Sequence, residues 1–210
     1  MRLGLLIILI ALGLQGCVAT TSGAAAGTTG ATGTTAVYDK RNVKTILQDE
    51  NISYQMTKRL FNYPNVTKQS HVVISTYQDT VLLAGQAPTE KLRDKIVEIT
   101  KQDPRIKRLY DEITIEGPSS SLTRASDAWI TAKVKTQLLA TKNLKSRQFK
   151  VVTENGVVFL MGVVDRSQAQ VAVNVARHVD GVQKVVKVFQ YDRQNIASND
   201  AYASSDVGTV

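Results

Sequence analysis

The chain has 210 residues, of which 43% are hydrophobic and 21% charged, and its formal net charge is +8. These values are typical of a globular protein with one medium or two small domains. Its single cysteine leaves no pair for a disulfide, so stability must come from packed cores. The excess positive charge requires a polyanionic partner, such as nucleic acid or anionic lipid headgroups.

The N-terminal segment has the layout of a bacterial secretory signal. A positive start precedes an apolar run from Leu3 to Leu14, and Gly16 immediately precedes Cys17. The run has about a dozen residues, fewer than the ~20 that a membrane span requires. The sequence around Cys17 resembles a lipobox, in which the cysteine is acylated after cleavage. We therefore predict a signal peptide over residues 1–16 and lipid attachment at Cys17.

The next segment is expected to be a tether. Residues 18–36 are almost entirely Thr, Gly, Ala and Ser, which bury too little apolar surface to offset ordering entropy. We therefore predict a lipidated flexible tether over residues 17–37. Export excludes nucleic acid as the partner, because exported proteins do not meet the chromosome. Val18 follows Cys17; in Gram-negative lipoproteins, which this segment resembles, that implies an outer-membrane anchor facing the periplasm.

The first predicted unit, residues 38–116, has the order helix, strand, strand, helix, strand. Asp49 and Glu50 suit a helix N-terminus. The apolar residues that follow at helical spacing are Ile52, Met56, Leu60 and Phe61. Two short strands flank the turn Gln78-Asp79, and Pro88-Thr89-Glu90 opens the second helix. The apolar residues of the final strand are Ile106, Leu109, Ile113 and Ile115.

After a predicted linker, residues 117–121, the same order returns in residues 122–192. A helical stripe is followed by two strands around Asn155-Gly156, a strong hairpin signal. A further helix and a valine-rich strand complete the unit. Gly162 repeats Gly85 at an offset of 77 residues, which indicates an internal duplication. The polar tail, residues 193–210, is predicted to be disordered.

The repeated pattern resembles the BON domain family. The second unit carries it nearly complete, in Asp127, in the segment 156–162 and in Gly181-Val182 followed by Val185. The first unit has Arg105-Ile106 where Gly-Val is expected. The resemblance implies an α+β protein with two tandem αββαβ domains, each a three-stranded mixed sheet packed by two helices. Together with the lipobox, it implies an outer-membrane lipoprotein whose second copy contacts anionic phospholipid and which supports envelope integrity.

Charge separates the two units independently of any family. Residues 38–116 carry 13 basic and 11 acidic side chains, whereas residues 122–192 carry 11 and 5. The net charges are therefore +2 and +6. Because each basic residue near an anionic membrane contributes on the order of 1 kcal/mol, several together bind usefully. The second unit is the one expected to meet the membrane.

Helical geometry selects the face of that unit. The residues Ile130, Val134 and Leu138 define the buried stripe, and Trp129 falls roughly 140° from its centre. Lys133 and Leu139 lie on the side of Trp129, and Lys135 flanks Leu139. An outward Trp and Leu edged by lysines is typical of a helix that lies at headgroup level. The predicted phospholipid-binding residues are Trp129, Lys133, Lys135, Leu139 and Phe189.

Two alternatives remain open. Trp129 could instead pack against the first unit across the linker, and Phe189 could join either surface. The same basic face could also dock an acidic envelope protein or a cell-wall polymer, which would make the protein an interaction adaptor rather than a lipid binder.

The sequence contains no constellation that indicates catalysis. The two histidines, His71 and His178, lie in different units without matching partners, so surface roles are expected for both. No spacing matches a zinc or calcium site, and glycine-rich sequence occurs only in the tether, where it cannot form a phosphate loop. We therefore predict a protein that is not an enzyme, without a cofactor, a metal site or a small-molecule substrate.

Overall fold

We analysed a computed structural model of the chain, which describes residues 43–191. The predicted signal peptide, the acylation site at Cys17, the tether and the C-terminal tail lie outside these residues. The elements of the first half are α1 (Val43–Phe61), α2 (Pro64–Thr67), β1 (His71–Tyr77), β2 (Thr80–Ala87), α3 (Glu90–Lys101) and β3 (Arg108–Ile115). Those of the second half are α4 (Ser121–Ala140), β4 (Phe149–Glu154), β5 (Val157–Val164), α5 (Arg166–Arg177) and β6 (Lys184–Tyr191).

Each half forms a three-stranded mixed sheet. In the first, β1 pairs antiparallel with β2, and β2 pairs parallel with β3. The second repeats this arrangement in β4, β5 and β6. The prediction of two αββαβ units with mixed sheets is therefore confirmed. The first half adds one short helix, α2, that the sequence pattern did not indicate.

Both hairpins turn through two residues in the left-handed region. The φ angles are 46° and 63° at Gln78 and Asp79, and 49° and 74° at Asn155 and Gly156. Such turns match the right-handed twist of paired strands, which is why Asn-Gly predicts them so well. The first hairpin adopts the same geometry without glycine, so its backbone needs support from elsewhere in the fold.

That support comes from a buried carboxylate in the preceding helix. Asp49 lies inside α1 and its side chain accepts the backbone N–H groups of Gln78 at 2.9 Å and Asp79 at 3.4 Å. The prediction that Asp49 and Glu50 begin the helix is wrong, because α1 already begins at Val43. The acidic residue is there to hold a turn about 30 residues away in sequence.

Each half has its own core between its helices and one face of its sheet. In the first half the buried stripe of α1 packs on β2 and α3. In the second half the corresponding stripe of α4 does the same; its members Ile130, Val134 and Leu138 are all buried. The predicted helical stripes are confirmed for Ile52, Met56 and Leu60 and for the three residues of α4, but Phe61 is wrongly included, since it is 67% exposed at the end of α1.

The two sheets pack against each other through their other faces. Buried residues of both halves form a third apolar cluster: Tyr77, Leu82, Ala84, Phe159, Met161 and Val188. Successive residues of a strand point to opposite faces of the sheet. Alternate residues of β2 and of β5 therefore pack into the core of their own domain, and the residues between them pack into the interface between the sheets. Every residue of β2 is consequently buried.

Polar contacts surround this interface. The Tyr77 hydroxyl donates to the Gln148 carbonyl at 2.8 Å, and the Lys150 ammonium donates to the Thr76 carbonyl at 3.1 Å and to Glu50 at 3.2 Å. Buried polar groups must find partners when they leave water, so these bonds fix how the sheets are oriented.

Close backbone approach explains the glycine that recurs at an offset of 77. A Cβ atom on Gly162 would lie 2.6 Å from the Gln148 carbonyl oxygen, the same oxygen that accepts the Tyr77 hydroxyl. At Gly85 the φ angle is +133° and a Cβ atom would lie 2.1 Å from the His71 carbonyl oxygen. Neither position has room for a side chain.

Candidate functional site

The first helix of the second domain presents large apolar side chains to solvent. Trp129 is 67% exposed and Leu139 is 60% exposed, on the side of α4 away from its buried stripe. The alternative in which Trp129 packs against the first domain is wrong, since the interface between the domains is made by the sheets. Trp129 is left without a partner among the apolar clusters of the described residues.

A groove of about 530 Å³ lies beside Trp129, between α4 and the C-terminal end of α5. Lys133 lines it, and its ammonium donates to the backbone carbonyl of Asp180. His178 closes the far side, with its Nδ1 atom 2.7 Å from the Asn174 carbonyl oxygen. The structure therefore brings Trp129 and Lys133 together on one surface, with the lysine anchored at the groove wall.

Lys135 lies on the opposite flank of α4. Burial, and then the neighbouring Lys150 ammonium, lower the pKa of Lys135. Lys150 itself bonds to the first domain. The sequence predicts that both Lys133 and Lys135 border the exposed face of Trp129 and Leu139. In the structure only Lys133 shares a surface with Trp129.

Phe189 does not belong to an exposed surface. It is 8% exposed and joins the core of the second domain, where its ring meets that of Phe149 edge-to-face at 5.8 Å between centroids. The prediction that Phe189 contacts lipid is therefore corrected, as is its placement between the domains. Its neighbour Val188 occupies the interface between the sheets instead.

One exposed residue of this helix was missed. Leu122 is 80% exposed, the largest value among the big apolar side chains of the described residues. It lies seven residues before Trp129, which is about two helical turns, so both side chains project from the same side of α4. The sequence signal for Leu122 is this spacing of seven residues, although Leu122 directly follows the predicted linker, residues 117–121.

The described residues contain few other features from which a site could be built. Between residues 43 and 191, no group of three or more histidine, cysteine or acidic side chains is placed to hold a metal ion. In the same part of the chain, none of the helices is both long enough and apolar enough to cross a bilayer. The exposed surface of α4 and the groove beside it are the candidate site among the described residues that matches the sequence prediction.

The duplicated αββαβ fold agrees with the comparison with known families. The BON domain model matches residues 48–117 and residues 126–193, and the chain belongs to this family with two copies of the domain. The chain is 32% identical over 178 residues to the outer membrane lipoprotein DolP of Haemophilus influenzae. The matched region covers 85% of this chain and 90% of that protein.

Two further relatives span most of the described residues. The 21 kDa hemolysin of Actinobacillus pleuropneumoniae is 34% identical over 73% of this chain and 79% of its own length. The osmotically-inducible protein Y of Escherichia coli is 29% identical over 68% of this chain and 72% of its own length. With its two BON domains and its similarity to DolP, this chain is an outer-membrane lipoprotein.

Proposed function

We propose that the protein is fastened to the outer membrane through acylated Cys17, faces the periplasm, and binds anionic phospholipid with the α4 surface of its second domain. In this role it supports the integrity of the envelope without catalysing a reaction. The observation that carries the proposal is the exposure of Trp129, next to Lys133, on the domain whose net charge is +6.

Three physical properties favour lipid over a soluble partner. Trp is amphipathic and partitions to the depth of the headgroups, where its ring is partly buried and its N–H stays hydrated. Leu122 and Leu139 extend the apolar ridge along the helix, and neither is covered in the described residues. Lys133 supplies a positive charge at the edge of that ridge, as interfacial helices require.

The anchor and the ridge would act together. The contact made by α4 alone is weak, because one face of a single helix buries little apolar area. A linker that holds the second contact near the membrane raises its effective concentration. Lipid at Cys17 would thus keep the protein at the membrane while α4 samples the headgroups.

The test is sedimentation with vesicles of anionic or zwitterionic phospholipid, using residues 17–210 with Cys17→Ser so that no acyl chain contributes. We expect Trp129→Ala combined with Lys133→Ala to weaken binding to anionic vesicles about tenfold or more, and wild-type binding to fall as salt rises.

The matched control lies in the first domain. Tyr54 is 62% exposed on α1, the helix that corresponds to α4, and Lys58 follows one turn later. Tyr54→Ala combined with Lys58→Ala removes the same kinds of side chain and is expected to leave vesicle binding unchanged. If both double variants bind like the wild type, α4 is not the lipid-binding surface; crosslinking of Trp129 to a protein would then favour the adaptor alternative.

A further inference from the structure

The second sheet ends in an open edge beside a basic groove. β6 is the outer strand of its sheet, with β5 as its partner on one side and no strand on the other among residues 43–191. Between β6 and α5 lies a groove of about 700 Å³. Its charged and aromatic lining consists of Arg166, Arg177, Lys187 and Tyr191.

The cations of this groove have no acidic partner in the described part of the chain. Arg166, Arg177 and Lys187 are exposed, and none forms an ion pair with another residue between 43 and 191. The guanidinium of Arg166 lies 5.3 Å from the ring centroid of Tyr191, which holds it over the groove. Three positive charges thus line a single concave surface.

The first domain provides an internal comparison, because α3 and β3 correspond to α5 and β6 at a constant offset of 76. The residues at the positions of Arg166 and Lys187 are Glu90 and Asp111. In that domain the Arg93 guanidinium pairs with Asp111 at 2.9 Å. Two of the three positions are therefore acidic in the first domain, where Asp111 is paired, while the counterpart of Arg177 is Lys101; only the second domain has three cations there.

The strand edges differ in the same way. In β3 the Asp111 side chain also accepts the backbone N–H of Ile113 at 3.2 Å, so it occupies a donor of the outer edge. The corresponding pair in β6 is Lys187 and Phe189, and a lysine has no acceptor with which to cover that N–H. β6 lacks this acceptor, and its own lysines, Lys184 and Lys187, oppose pairing with a basic strand but not with an acidic one.

The shape of the site indicates an elongated ligand. Arg166 and Arg177 stand at opposite ends of α5, about 16 Å apart at 1.5 Å per residue. A small anion would need converging donors, whereas these charges are spread along the groove between α5 and the open strand. About five residues of extended peptide cover that distance.

We propose that β6 and this groove bind an extended acidic segment of a partner protein by strand addition. Main-chain hydrogen bonds to the open edge give the affinity, and alternate side chains give the specificity. Acidic residues of the segment face Arg166, Lys187 and Arg177 on the helical side of the sheet. The residues between them continue the apolar face that Val186 and Val188 present toward the first domain.

The test is fluorescence anisotropy with residues 17–210 carrying Cys17→Ser and a labelled ten-residue peptide that alternates glutamate with valine or threonine. A second peptide has the same sequence with N-methyl groups on alternate amides, which removes strand pairing and keeps every charge. We expect the parent peptide to bind and its N-methylated form to bind about tenfold more weakly or worse.

Two sets of variants locate the site. Arg166→Glu with Lys187→Asp installs the residues of the first domain and is expected to reduce affinity at least tenfold. Lys68→Glu with Lys91→Glu makes the same change of charge on the exposed surface of the first domain and is expected to change affinity less than threefold.

Several results would overturn the proposal: no saturable binding of the labelled peptide up to about 1 mM protein, equal affinity for the N-methylated peptide, or equal affinity in both double variants. Circular dichroism checks that the variants fold. If Arg166→Glu with Lys187→Asp fails to fold, the two peptides measured on the wild-type protein still decide the matter.

Discussion

Asp127 shows how much of this fold depends on single buried carboxylates. It is 4% exposed, and its two oxygens accept the backbone N–H groups of Asn155 and Gly156, both at 2.9 Å. The helix α4 thereby holds the turn of the hairpin that follows it, as Asp49 does in the first domain. A buried N–H group that loses its acceptor costs about 1–3 kcal/mol.

We predict that Asp127→Ala lowers the free energy of unfolding by about 2–4 kcal/mol, because two N–H groups lose their acceptor together. Urea denaturation of wild type and variant measures the difference. Asp180→Ala is the control, since Asp180 is exposed and surface substitutions usually change stability by about 0.5 kcal/mol or less. Equal losses in the two variants would contradict the role assigned to Asp127.

Glu154 makes stability depend on pH. Burial, and then the Asp127 carboxylate, raise the pKa of Glu154 to about 7, while Arg124 opposes them. The folded protein therefore binds a proton at Glu154 that the unfolded chain releases at a pKa near 4.5. Stability consequently falls as pH rises from about 4.5 through 7. His71, whose Nε2 atom lies 3.6 Å from Glu154, has its pKa lowered from 6.5 by burial, so its own contribution has the opposite sign and ends near pH 6.5.

Above pH 6.5 the contribution of His71 to stability no longer changes, so the change of stability with pH that remains from this pair comes from Glu154. We predict that the wild-type free energy of unfolding falls by about 1 kcal/mol between pH 6.5 and 8, the remaining part of the titration. Glu154→Gln keeps the shape without the charge and is expected to remove this decline. Urea denaturation at several pH values provides the measurement, and parallel curves for both proteins would contradict the prediction.

Among the helices and strands, local sequence patterns predicted the features that depend on residues close together in the chain. The strands and their turns followed from alternation and from pairs such as Asn155-Gly156, which act over a few residues. The start of α1 did not, because the partners of Asp49 are turn amides 29 and 30 residues away. Phe189 was misplaced because β6 is apolar on both faces, so nothing in the sequence says which core each side takes.

The exposed ridge of α4 was only partly predictable for a related reason. Helical periodicity correctly turned Trp129 away from the core, since that needs only the angle between side chains. It could not show what the other flank of α4 meets, and Lys135 proved to lie beside Lys150 near the first domain. Contacts between domains are invisible to a helical projection.

The ridge supports a prediction of its own for Leu122. We expect Leu122→Ala to weaken binding to anionic vesicles several-fold without changing the melting temperature, because the side chain is exposed and shares the side of Trp129. Leu47→Ala on α1 is the control, as Leu47 is 64% exposed in the first domain. A loss of binding in both variants, or in neither, would place the membrane contact elsewhere.

At the scale of the whole molecule, the two BON domains share an apolar interface. Phe159 is 3% exposed in this interface, where it packs with Tyr77 and Leu82 of the first domain. The two sheets belong to one compact unit. An isolated second domain would expose this face, so functional assays need both domains.

We predict that wild type unfolds in a single thermal transition and that Phe159→Ala destabilises it by about 3–5 kcal/mol, the usual cost of a large buried truncation. Differential scanning calorimetry measures both. Phe61→Ala removes the same ring from an exposed position, 67% exposed, and is expected to have little effect. Two separate transitions in the wild type would show that the interface does not couple the domains.

The shared interface also sets an order of assembly. A chain that emerges N-terminus first completes β3 about 70 residues before Val188 is available to cover it. During that interval Tyr77, Leu82 and Ala84 form an uncovered apolar face on an otherwise finished domain. The first domain, folded before the second, is thus prone to aggregate through this apolar face. Either rapid folding of the C-terminal strand or a chaperone must prevent its association with other chains.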